Sequence, residues 1–409
     1  MRASCARHRA VVLAALTIPV VLAAGCTGTS PAASGGAGQA APAPCPAAAR
    51  GTWAAAEPAS PGSVNNDLTG VTVLAPGDAW AVGSYAGSSG GQTLAEHWNG
   101  ANWSVVPSPD PGGSGSFLSA VSAVSPSAVW AVGESQTGGQ SKTLIVQWNG
   151  TSWQQAASPS PGPDSYLTGV RAVSANDAWA VGYYDNGAVG GSSGTSSLIL
   201  HWNGTGWTQV PSPDPGTSSK LDAVTATSAA SAWAVGSSGR QQPGSPFILH
   251  WNGTGWTQAA APPLKGTGGE LLGVAATSAA NAWAAGDVTD SAGQHSLILR
   301  WNGTGWTRVP RPELGGRGLT VSLRGVAATS PASAWAVGYT DNGAGSRSSV
   351  ILHWNGTAWT RAASPSPGAG GGLEGVTAGP PASAWAVGQF SAVGAADAFA
   401  VRYCAPTRG

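Results

Sequence analysis

The sequence has few charged side chains. In 409 residues, 18 basic and 18 acidic residues make up 9% of the chain and cancel to a formal net charge of zero. Proteins that bind nucleic acid or an anionic membrane surface usually concentrate Lys and Arg in a patch or stripe. The composition therefore argues against nucleic acid as a partner.

Cysteine and histidine are also scarce, with 4 and 6 residues respectively. They form no cluster with the spacing of a zinc site, and the Asp-x-Asp-x-Asp-Gly pattern of a calcium loop is absent. Four of the histidines recur at one position of a repeat, directly before Trp-Asn-Gly, which favours a structural polar role over metal binding; they are His97, His201, His250 and His353. We therefore expect neither a metal nor a cofactor.

The longest apolar run of the N-terminal region, Ala10–Ala24, is too short to span a bilayer comfortably. Three arginines precede it, as in a secretory signal peptide. The run ends in Leu-Ala-Ala-Gly before Cys26, which resembles the bacterial lipobox. That resemblance implies that residues 1–25 are a lipoprotein signal peptide and that Cys26 is lipidated. The alternative is an ordinary cleaved signal followed by an incidental cysteine.

The segment that begins at this cysteine, residues 26–44, contains no charged residue and consists mostly of Ala, Gly, Pro, Ser and Thr. Such a composition cannot bury a core and is typical of a flexible tether. We therefore expect an extracytoplasmic protein that a lipid anchors to the outer face of the cytoplasmic membrane. The overall composition is typical of a high-GC Gram-positive cell envelope protein.

A unit of about fifty residues recurs seven times and contains all 20 Trp residues. Each unit holds a Leu-x-x-Val stretch, a sequence close to Ala-Trp-Ala-Val-Gly, a variable Gly/Ser loop, an apolar run that usually ends in Trp-Asn-Gly, and a further Trp. The first Trp of the successive units is Trp80, Trp130, Trp179, Trp233, Trp283, Trp335 and Trp385. A residue needed in every unit is best explained by packing of one unit on the next.

Each unit contains four short strand-like runs separated by turn residues, which is the size of a β-propeller blade. Asn203-Gly204 and its equivalents predict a tight two-residue hairpin. The rival architecture is a solenoid, which should begin and end with atypical polar caps. The sequence therefore predicts an all-β fold, a seven-bladed β-propeller with four-stranded blades.

The seventh unit stops at Cys404 before its second Trp, and the missing piece matches the segment around Trp53. We expect this N-terminal strand to complete the last blade and to close the ring. Cys45 lies at the same joint and would form a disulfide with Cys404 in an oxidising compartment, the alternative being two free thiols. The propeller would then span residues 45–404, followed by a short tail, 405–409.

The repeat resembles the Trp-rich members of the kelch-like and WD40-like propeller superfamily over residues 45–404. The resemblance implies architecture only. The Gly-Gly pair of kelch units and the Ser-x-Asp-x-Gly-x-Thr-Trp box of sialidase-type propellers are absent. No activity can be transferred from either group.

Residues that differ between the units are the candidates for function, because variable loops on a rigid scaffold often hold binding residues. Two loops of each unit vary, and alternate loops lie on one face of a blade. The aromatic residues of that face, with one neighbouring acid, are Tyr85, Phe117, Tyr166, Tyr183, Tyr184, Asp185, Tyr339 and Phe390. They form either a recognition patch or rings that anchor the loops.

A second candidate is the position two residues before Val at the start of each innermost strand. Its seven occupants are Thr69, Ser119, Thr168, Asp222, Leu272, Arg324 and Glu374. If the three charged residues converge at the channel, they form either a polar ligand socket or simple ion pairs. Catalysis by Asp222 and Glu374 would require their carboxylates to lie about 5 to 9 Å apart.

The sequence thus predicts a monomer that acts as a binding or scaffolding module for a protein or a cell-envelope glycan. The alternative is a glycan-active hydrolase or lyase with acidic residues at the channel mouth. A purely structural envelope component is the third possibility.

Overall fold

The computed structural model describes residues 50–406 except 88–89, 190–191, 216–217, 240–243, 265, 267, 292, 315–318, 345, 366–369, 380–382 and 393–394. The predicted signal peptide, the tether, Cys26 and Cys45 lie outside the described residues. Within the described residues no helix has the length and apolar character needed to cross a membrane.

The described part of the chain is all-β and consists of strands joined by loops. Most strands are apolar at alternate or successive positions, as expected for sheets covered on one or both faces. The strands are β1 (Thr52–Ala55), β2 (Asn66–Ala75), β3 (Asp78–Gly87), β4 (Gly90–Trp98), β5 (Trp103–Val105), β6 (Gly115–Ser125), β7 (Ala128–Thr137), β8 (Gln140–Trp148), β9 (Trp153–Ala156), β10 (Ser165–Ser174), β11 (Asp177–Val189), β12 (Ser192–Trp202), β13 (Trp207–Gln209), β14 (Ser219–Ser228), β15 (Ser231–Ser238), β16 (Ser245–Trp251), β17 (Trp256–Gln258), β18 (Gly268–Ser278), β19 (Asn281–Asp290), β20 (Gly293–Trp301), β21 (Trp306–Arg308), β22 (Thr320–Ser330), β23 (Ser333–Asp341), β24 (Arg347–Trp354), β25 (Trp359–Ala362), β26 (Gly372–Gly379), β27 (Ser383–Ala392) and β28 (Ala395–Cys404).

Four of the sheets each consist of four consecutive antiparallel strands, as in the order β10-β11-β12-β13, which confirms the predicted four-stranded units. Strands β2 to β9 depart from this pattern because one parallel pair, Gly91 with Gly115, joins two such units into an eight-stranded sheet. A Cβ atom at Gly91 would lie 2.4 Å from the ring of Phe117. The close backbone approach therefore depends on this glycine.

One sheet combines strands from distant parts of the sequence, in the order β1-β28-β27-β26. The register of β1 on β28 places Thr52 opposite Cys404 and Trp53 opposite Tyr403. The segment around Trp53 is thus the outer strand of the sheet that contains the last repeat.

The innermost strand of each unit contacts the innermost strand of the next unit, and β26 likewise contacts β2. A small residue at the contact makes this approach possible. A Cβ atom at Gly70 would lie 3.0 Å from the Cα of Ala120, and one at Gly375 would lie 2.7 Å from the carbonyl oxygen of Thr69. The Gly-Val step of the repeat therefore sets the distance between neighbouring innermost strands.

The core lies between neighbouring sheets and is built around tryptophan. The first Trp of each repeat packs edge to face on the outer-strand Trp of the following sheet, with ring centroids 5.0 to 5.2 Å apart. The pairs are Trp80–Trp153, Trp130–Trp207, Trp179–Trp256, Trp233–Trp306, Trp283–Trp359, Trp335–Trp53 and Trp385–Trp103. Tryptophan thus joins one sheet to the next, as its periodicity predicted.

The predicted two-residue hairpin at Trp-Asn-Gly is wrong. Strand β12 ends at Trp202 and β13 begins at Trp207, so the loop has four residues. The side chain of Asn203 folds back, and its Oδ1 accepts hydrogen bonds from the backbone N–H groups of Thr205 and Gly206 at 3.0 and 3.1 Å. This Asx turn satisfies the loop backbone without a tighter reversal.

Candidate functional site

The variable loops lie at the end of the sheets where the innermost strands begin. We call this end the mouth and define it by two register positions of the innermost strands. The first position is occupied by Asp67, Phe117, Tyr166, Lys220, Glu270, Ser322 and Gly372. The second is occupied by Thr69, Ser119, Thr168, Asp222, Leu272, Arg324 and Glu374. A β-bulge beside the second position interrupts the ladder in each innermost strand.

Two of the three predicted charged residues form an ion pair across neighbouring sheets. Arg324 Nε lies 3.3 Å from Glu374 Oε2. Arg324 also donates from Nη2 to the hydroxyl oxygen of Tyr339 at 3.3 Å. The carboxylates and Tyr339 raise the pKa of Arg324 against the lowering effect of its burial. Ion pairing, which the sequence left open, thus occurs at this pair.

Asp222, the third predicted residue, has a different direct partner. Lys220 Nζ lies 3.6 Å from Asp222 Oδ1 and 3.0 Å from Glu270 Oε2. Burial raises the pKa of Asp222 to about 6; Lys220 opposes this rise and Glu270 adds to it. Arg324 is near enough to lower the pKa of Asp222 slightly. Asp222 Oδ2 is buried without a hydrogen-bond partner among the described residues.

Three further carboxylates that sequence reasoning missed belong to the mouth or flank it. Burial raises the pKa of Asp67 to about 6, with a contribution from Glu374. Burial also raises the pKa of Asp287 to about 6, although Ser322 donates a hydrogen bond to it at 2.9 Å. Glu134 lies opposite Phe117 on the next strand. Asp67 Oδ1 and Glu134 Oε2 are buried and lack a partner among the described residues.

Two of the predicted aromatics form a platform beside these charges. Tyr166 and Tyr183 are paired across β10 and β11, and their rings stack at a centroid distance of 4.9 Å and an angle of 26°. Burial raises the pKa of Tyr183, and Lys220 and Asp222 both act on it electrostatically. A flat aromatic pair therefore adjoins the Lys220–Asp222 pair at the mouth.

The other predicted aromatics are held by different contacts. Tyr184 and Tyr85 pack against separate core clusters, and Phe390 contacts Phe399 edge to face at 6.1 Å. Tyr339 is 8% exposed and lies against two arginine side chains. Asp185 accepts a hydrogen bond from the backbone N–H of Gly187 at 2.9 Å, which closes a turn. The structure thus stacks Tyr166 on Tyr183, and it also places Phe117 and Tyr339 at the mouth, opposite Glu134 and against Arg324.

The histidines before Trp-Asn-Gly have structural surroundings. His97 Nε2 lies 2.9 Å from Asp78 Oδ1, and His201 Nε2 lies 2.8 Å from Asp177 Oδ1. Burial lowers the pKa of His250 and of His353. In the part of the chain that the structure describes, no group of three His, Cys, Asp or Glu side chains is arranged to hold a metal ion.

Sequence reasoning could have found part of what it missed. The position two residues before Thr69 and its equivalents is charged in three repeats, where it is occupied by Asp67, Lys220 and Glu270. Glu134 and Asp287 follow the Ala-Val-Gly or Ala-Ala-Gly motif directly, where other repeats have Ser, Tyr or Gln. Their convergence depends on the cross-strand register, which only the structure supplies.

No protein-family model matches the sequence, and no curated protein matches it. Solved structures do resemble it. The extracellular domain of a hybrid two-component system of B. thetaiotaomicron matches with 10% identity and a TM-score of 0.51, covering 85% of this chain and 39% of that one. A xyloglucanase of Xanthomonas campestris matches with 13% identity and a TM-score of 0.49, covering 85% and 55%.

The SapL1 lectin, solved in complex with alpha methyl fucoside, matches with 14% identity and a TM-score of 0.45, covering 78% of this chain and 98% of the lectin. This chain therefore spans about half of the xyloglucanase and less than half of the two-component system domain. At these identities the similarity is one of fold and assigns no activity. The chain is a β-propeller-like repeat protein built from four-stranded, Trp-containing blades.

Proposed function

We propose that the chain forms a seven-bladed propeller whose ring is closed by β1 in the last blade. The cyclic contacts of the innermost strands support this proposal, as does the edge-to-face packing of Trp385 on Trp103. Closure would hold the mouth residues at fixed distances from one another. That rigidity favours a preformed binding site.

A disulfide between Cys45 and Cys404 would make the closure covalent. Cys404 is completely buried at the end of β28, opposite Thr52 on β1. Peptide mapping of the alkylated, unreduced protein is expected to yield one fragment that contains both cysteines. Recovery of both as separate alkylated peptides would refute the disulfide.

We also propose that the mouth binds a glycan. The observation behind this is a set of buried carboxylate oxygens at the mouth, on Asp67, Glu134 and Asp222, which have no partner among the described residues. Glu134 and Asp222 also act electrostatically on Tyr183, which stacks on Tyr166. A buried acceptor without a partner is costly, and a ligand hydroxyl group would remove that cost. Aromatic faces offer an apolar surface for the C–H face of a sugar ring. Sugars present both kinds of group together.

The charge balance of the site narrows the ligand class. The two mouth positions and the residues opposite the first of them on the next strands include six acids and two bases: Asp67, Glu134, Asp222, Glu270, Asp287 and Glu374, with Lys220 and Arg324. An anionic polysaccharide would be repelled by the excess of carboxylates, whereas hydroxyl and amino groups donate hydrogen bonds to them. We therefore favour a neutral or amino sugar of the cell envelope as the ligand.

Export would bring the mouth to such a ligand. We propose that residues 1–25 direct secretion, that a lipid on Cys26 anchors the protein, and that residues 26–44 hold the propeller off the membrane. In this arrangement the protein acts as a binding or scaffolding module at the outer face of the cytoplasmic membrane.

The test is binding of the purified protein to envelope glycan, prepared with and without protease treatment. Asp222→Asn is expected to weaken binding about tenfold or more, since a lost hydrogen bond to a charged group costs about 1.5 to 3 kcal/mol. Tyr183→Ala is expected to weaken it by about tenfold, because it removes the aromatic face on which the sugar ring would pack. Gln209→Ala is the control, because Gln209 is exposed on the outer strand of the same sheet as Tyr183. Equal binding by all forms would overturn the proposal. Binding that protease treatment abolishes would instead identify a protein partner.

One observation favours the enzymatic alternative. The pKa of Asp67 is about 6, so this carboxyl remains protonated at a higher pH than an ordinary aspartic acid does. Asp67 lies near Glu374 on the adjacent innermost strand. Burial also raises the pKa of Glu374, and Arg324 opposes that rise. Two neighbouring carboxyls, of which one is paired with a cation, can act as a general acid and its partner. Hydrolysis or lyase cleavage would release new sugar ends from the bound glycan. If wild-type protein releases none, or if Asp67→Asn releases as many, the enzymatic alternative is excluded.

A further inference from the structure

Beyond the mouth, the innermost strands line a cavity of about 220 Å³. One set of lining residues occupies the register position opposite the first Trp of each repeat. Its seven members are Thr72, Ser122, Arg171, Thr225, Ala275, Ala327 and Thr377. The adjacent residue is Val in all seven strands. Arg171 is therefore the one charged residue in the lining of this cavity, among the residues that the structure describes.

Arg171 differs from Arg324 and Arg300 in having no hydrogen-bond or ion-pair partner among the described residues. Arg324 pairs with a carboxylate, and Arg300 donates to Asn281 while it lies over the ring of Trp283. Arg171 forms no ion pair or hydrogen bond within the part of the chain that the structure describes. Its side chain is nevertheless exposed, because it faces the cavity. An unpaired guanidinium thus faces a cavity whose other lining side chains are neutral.

The surroundings of Arg171 separate it from the mouth. The protein walls around the cavity partly desolvate the guanidinium and lower its pKa although solvent reaches it, and no carboxylate of the described residues opposes this effect. Arg171 lies three residues before the end of β10 at Ser174, towards the face that holds the Trp-Asn-Gly loops. The site is therefore independent of the glycan site proposed above.

We propose that Arg171 binds a small oxyanion in this cavity, a carboxylate or a sulfate group. The planar guanidinium presents paired N–H donors that match two adjacent anionic oxygens. Charge attraction is stronger there than in bulk water, because protein walls of uncharged Val, Ala, Thr and Ser residues surround the cavity. The hydroxyl groups of Thr72 and Thr377 can donate to the remaining oxygens.

The size of the cavity limits the ligand. A cavity of about 220 Å³ is smaller than the roughly 300 to 1,000 Å³ of typical ligand pockets, so it suits a small anion better than an oligosaccharide. The anion is therefore either a free ion or the carboxylate end of a small molecule.

Thermal unfolding of the intact protein tests this site, in acetate or sulfate against chloride at equal ionic strength. The melting temperature of the wild-type protein is expected to rise by about 2 °C or more with acetate or with sulfate, and to saturate with concentration. Saturation matters because sulfate also stabilises proteins non-specifically. A response to acetate would identify a carboxylate ligand, and a response to sulfate would identify a sulfate-like one. The absence of a saturable rise with either anion would overturn the proposal.

Arg171→Thr should abolish the saturable rise. Threonine occupies the matching position at Thr72, Thr225 and Thr377, so the variant is expected to fold. Arg308→Thr is the control, because it removes one positive charge from an exposed outer-strand position.

If Arg171→Thr proves unstable, Arg171→Lys keeps the charge but loses the paired donors, and calorimetry should show that it binds the anion about tenfold more weakly. A rise that persists unchanged in Arg171→Thr, or an affinity unchanged in Arg171→Lys, would overturn the proposal.

Discussion

Replacement of Trp130 by alanine is expected to lower the free energy of unfolding by about 3 to 5 kcal/mol. Trp130 is completely buried. It packs on Trp202 at 4.9 Å and edge to face on Trp207 at 5.2 Å, both in the following sheet. Alanine would leave a cavity at the contact between two sheets and remove both aromatic contacts.

Urea unfolding followed by tryptophan fluorescence measures the effect of Trp130→Ala. The control is Val105→Ala, since Val105 is 42% exposed and its truncation should change stability by less than about 0.5 kcal/mol. If Trp130→Ala lowered the free energy of unfolding no more than Val105→Ala does, the packing of tryptophan between the sheets would not be a main source of stability.

Replacement of Glu96 by leucine is expected to stabilise the protein at pH 8 by about 2 kcal/mol. Glu96 is fully buried on β4. The matching position is aliphatic in each of the six other repeats, where it is occupied by Val146, Leu200, Leu249, Leu299, Leu352 and Val401. Its Oε2 accepts a hydrogen bond from the backbone N–H of Ala59 at 3.0 Å, while Oε1 is buried and lacks a partner among the described residues.

The sign of the effect follows from the pKa of Glu96. Burial raises this pKa from 4.5 to about 7, although the hydrogen bond from Ala59 opposes the rise. The folded protein therefore binds the proton more tightly than the unfolded chain, and stability falls as the pH rises from about 4.5 to 7. The full penalty, about 3 kcal/mol, is present above pH 7. Leucine removes it and loses one hydrogen bond worth about 1 kcal/mol.

The free energy of unfolding of Glu96→Leu and of the wild-type protein is to be compared at pH 5 and pH 8. We expect the gain at pH 8 and little or none at pH 5, where Glu96 is protonated in the folded protein. Asp67, Asp222 and Asp287 contribute pH dependence of the same sign, but they are common to both proteins and cancel in the comparison. An equal gain at both pH values would show that Glu96 is not the source of the pH dependence.

The repeat made much of the fold predictable from the sequence. The spacing of Trp80 and its six equivalents fixed the units, and the apolar runs placed the strands. The loop at Asn203 was not predictable in detail, because a two-residue turn and a four-residue Asx turn both favour Asn-Gly. Local sequence preference does not distinguish them when a side-chain oxygen can replace a backbone acceptor.

The candidate site was predictable only in outline. Asp222, Arg324 and Glu374 stood out because their counterparts in other repeats are uncharged. Lys220 and Glu270 are fifty residues apart in the sequence, and their ion pair arises only when two innermost strands lie side by side. Arg171 was missed because a single arginine in an apolar strand has no sequence signature that distinguishes a channel position from an exposed one.

The most direct test of binding at the mouth is photo-crosslinking with p-benzoylphenylalanine at position 183, compared with the same residue at position 101. Ala101 is exposed in the Trp-Asn-Gly loop of its repeat, on the opposite face. The proposal predicts that protease-treated envelope glycan becomes attached to the protein labelled at 183 and not to the protein labelled at 101. Attachment at 101 without attachment at 183 would contradict it.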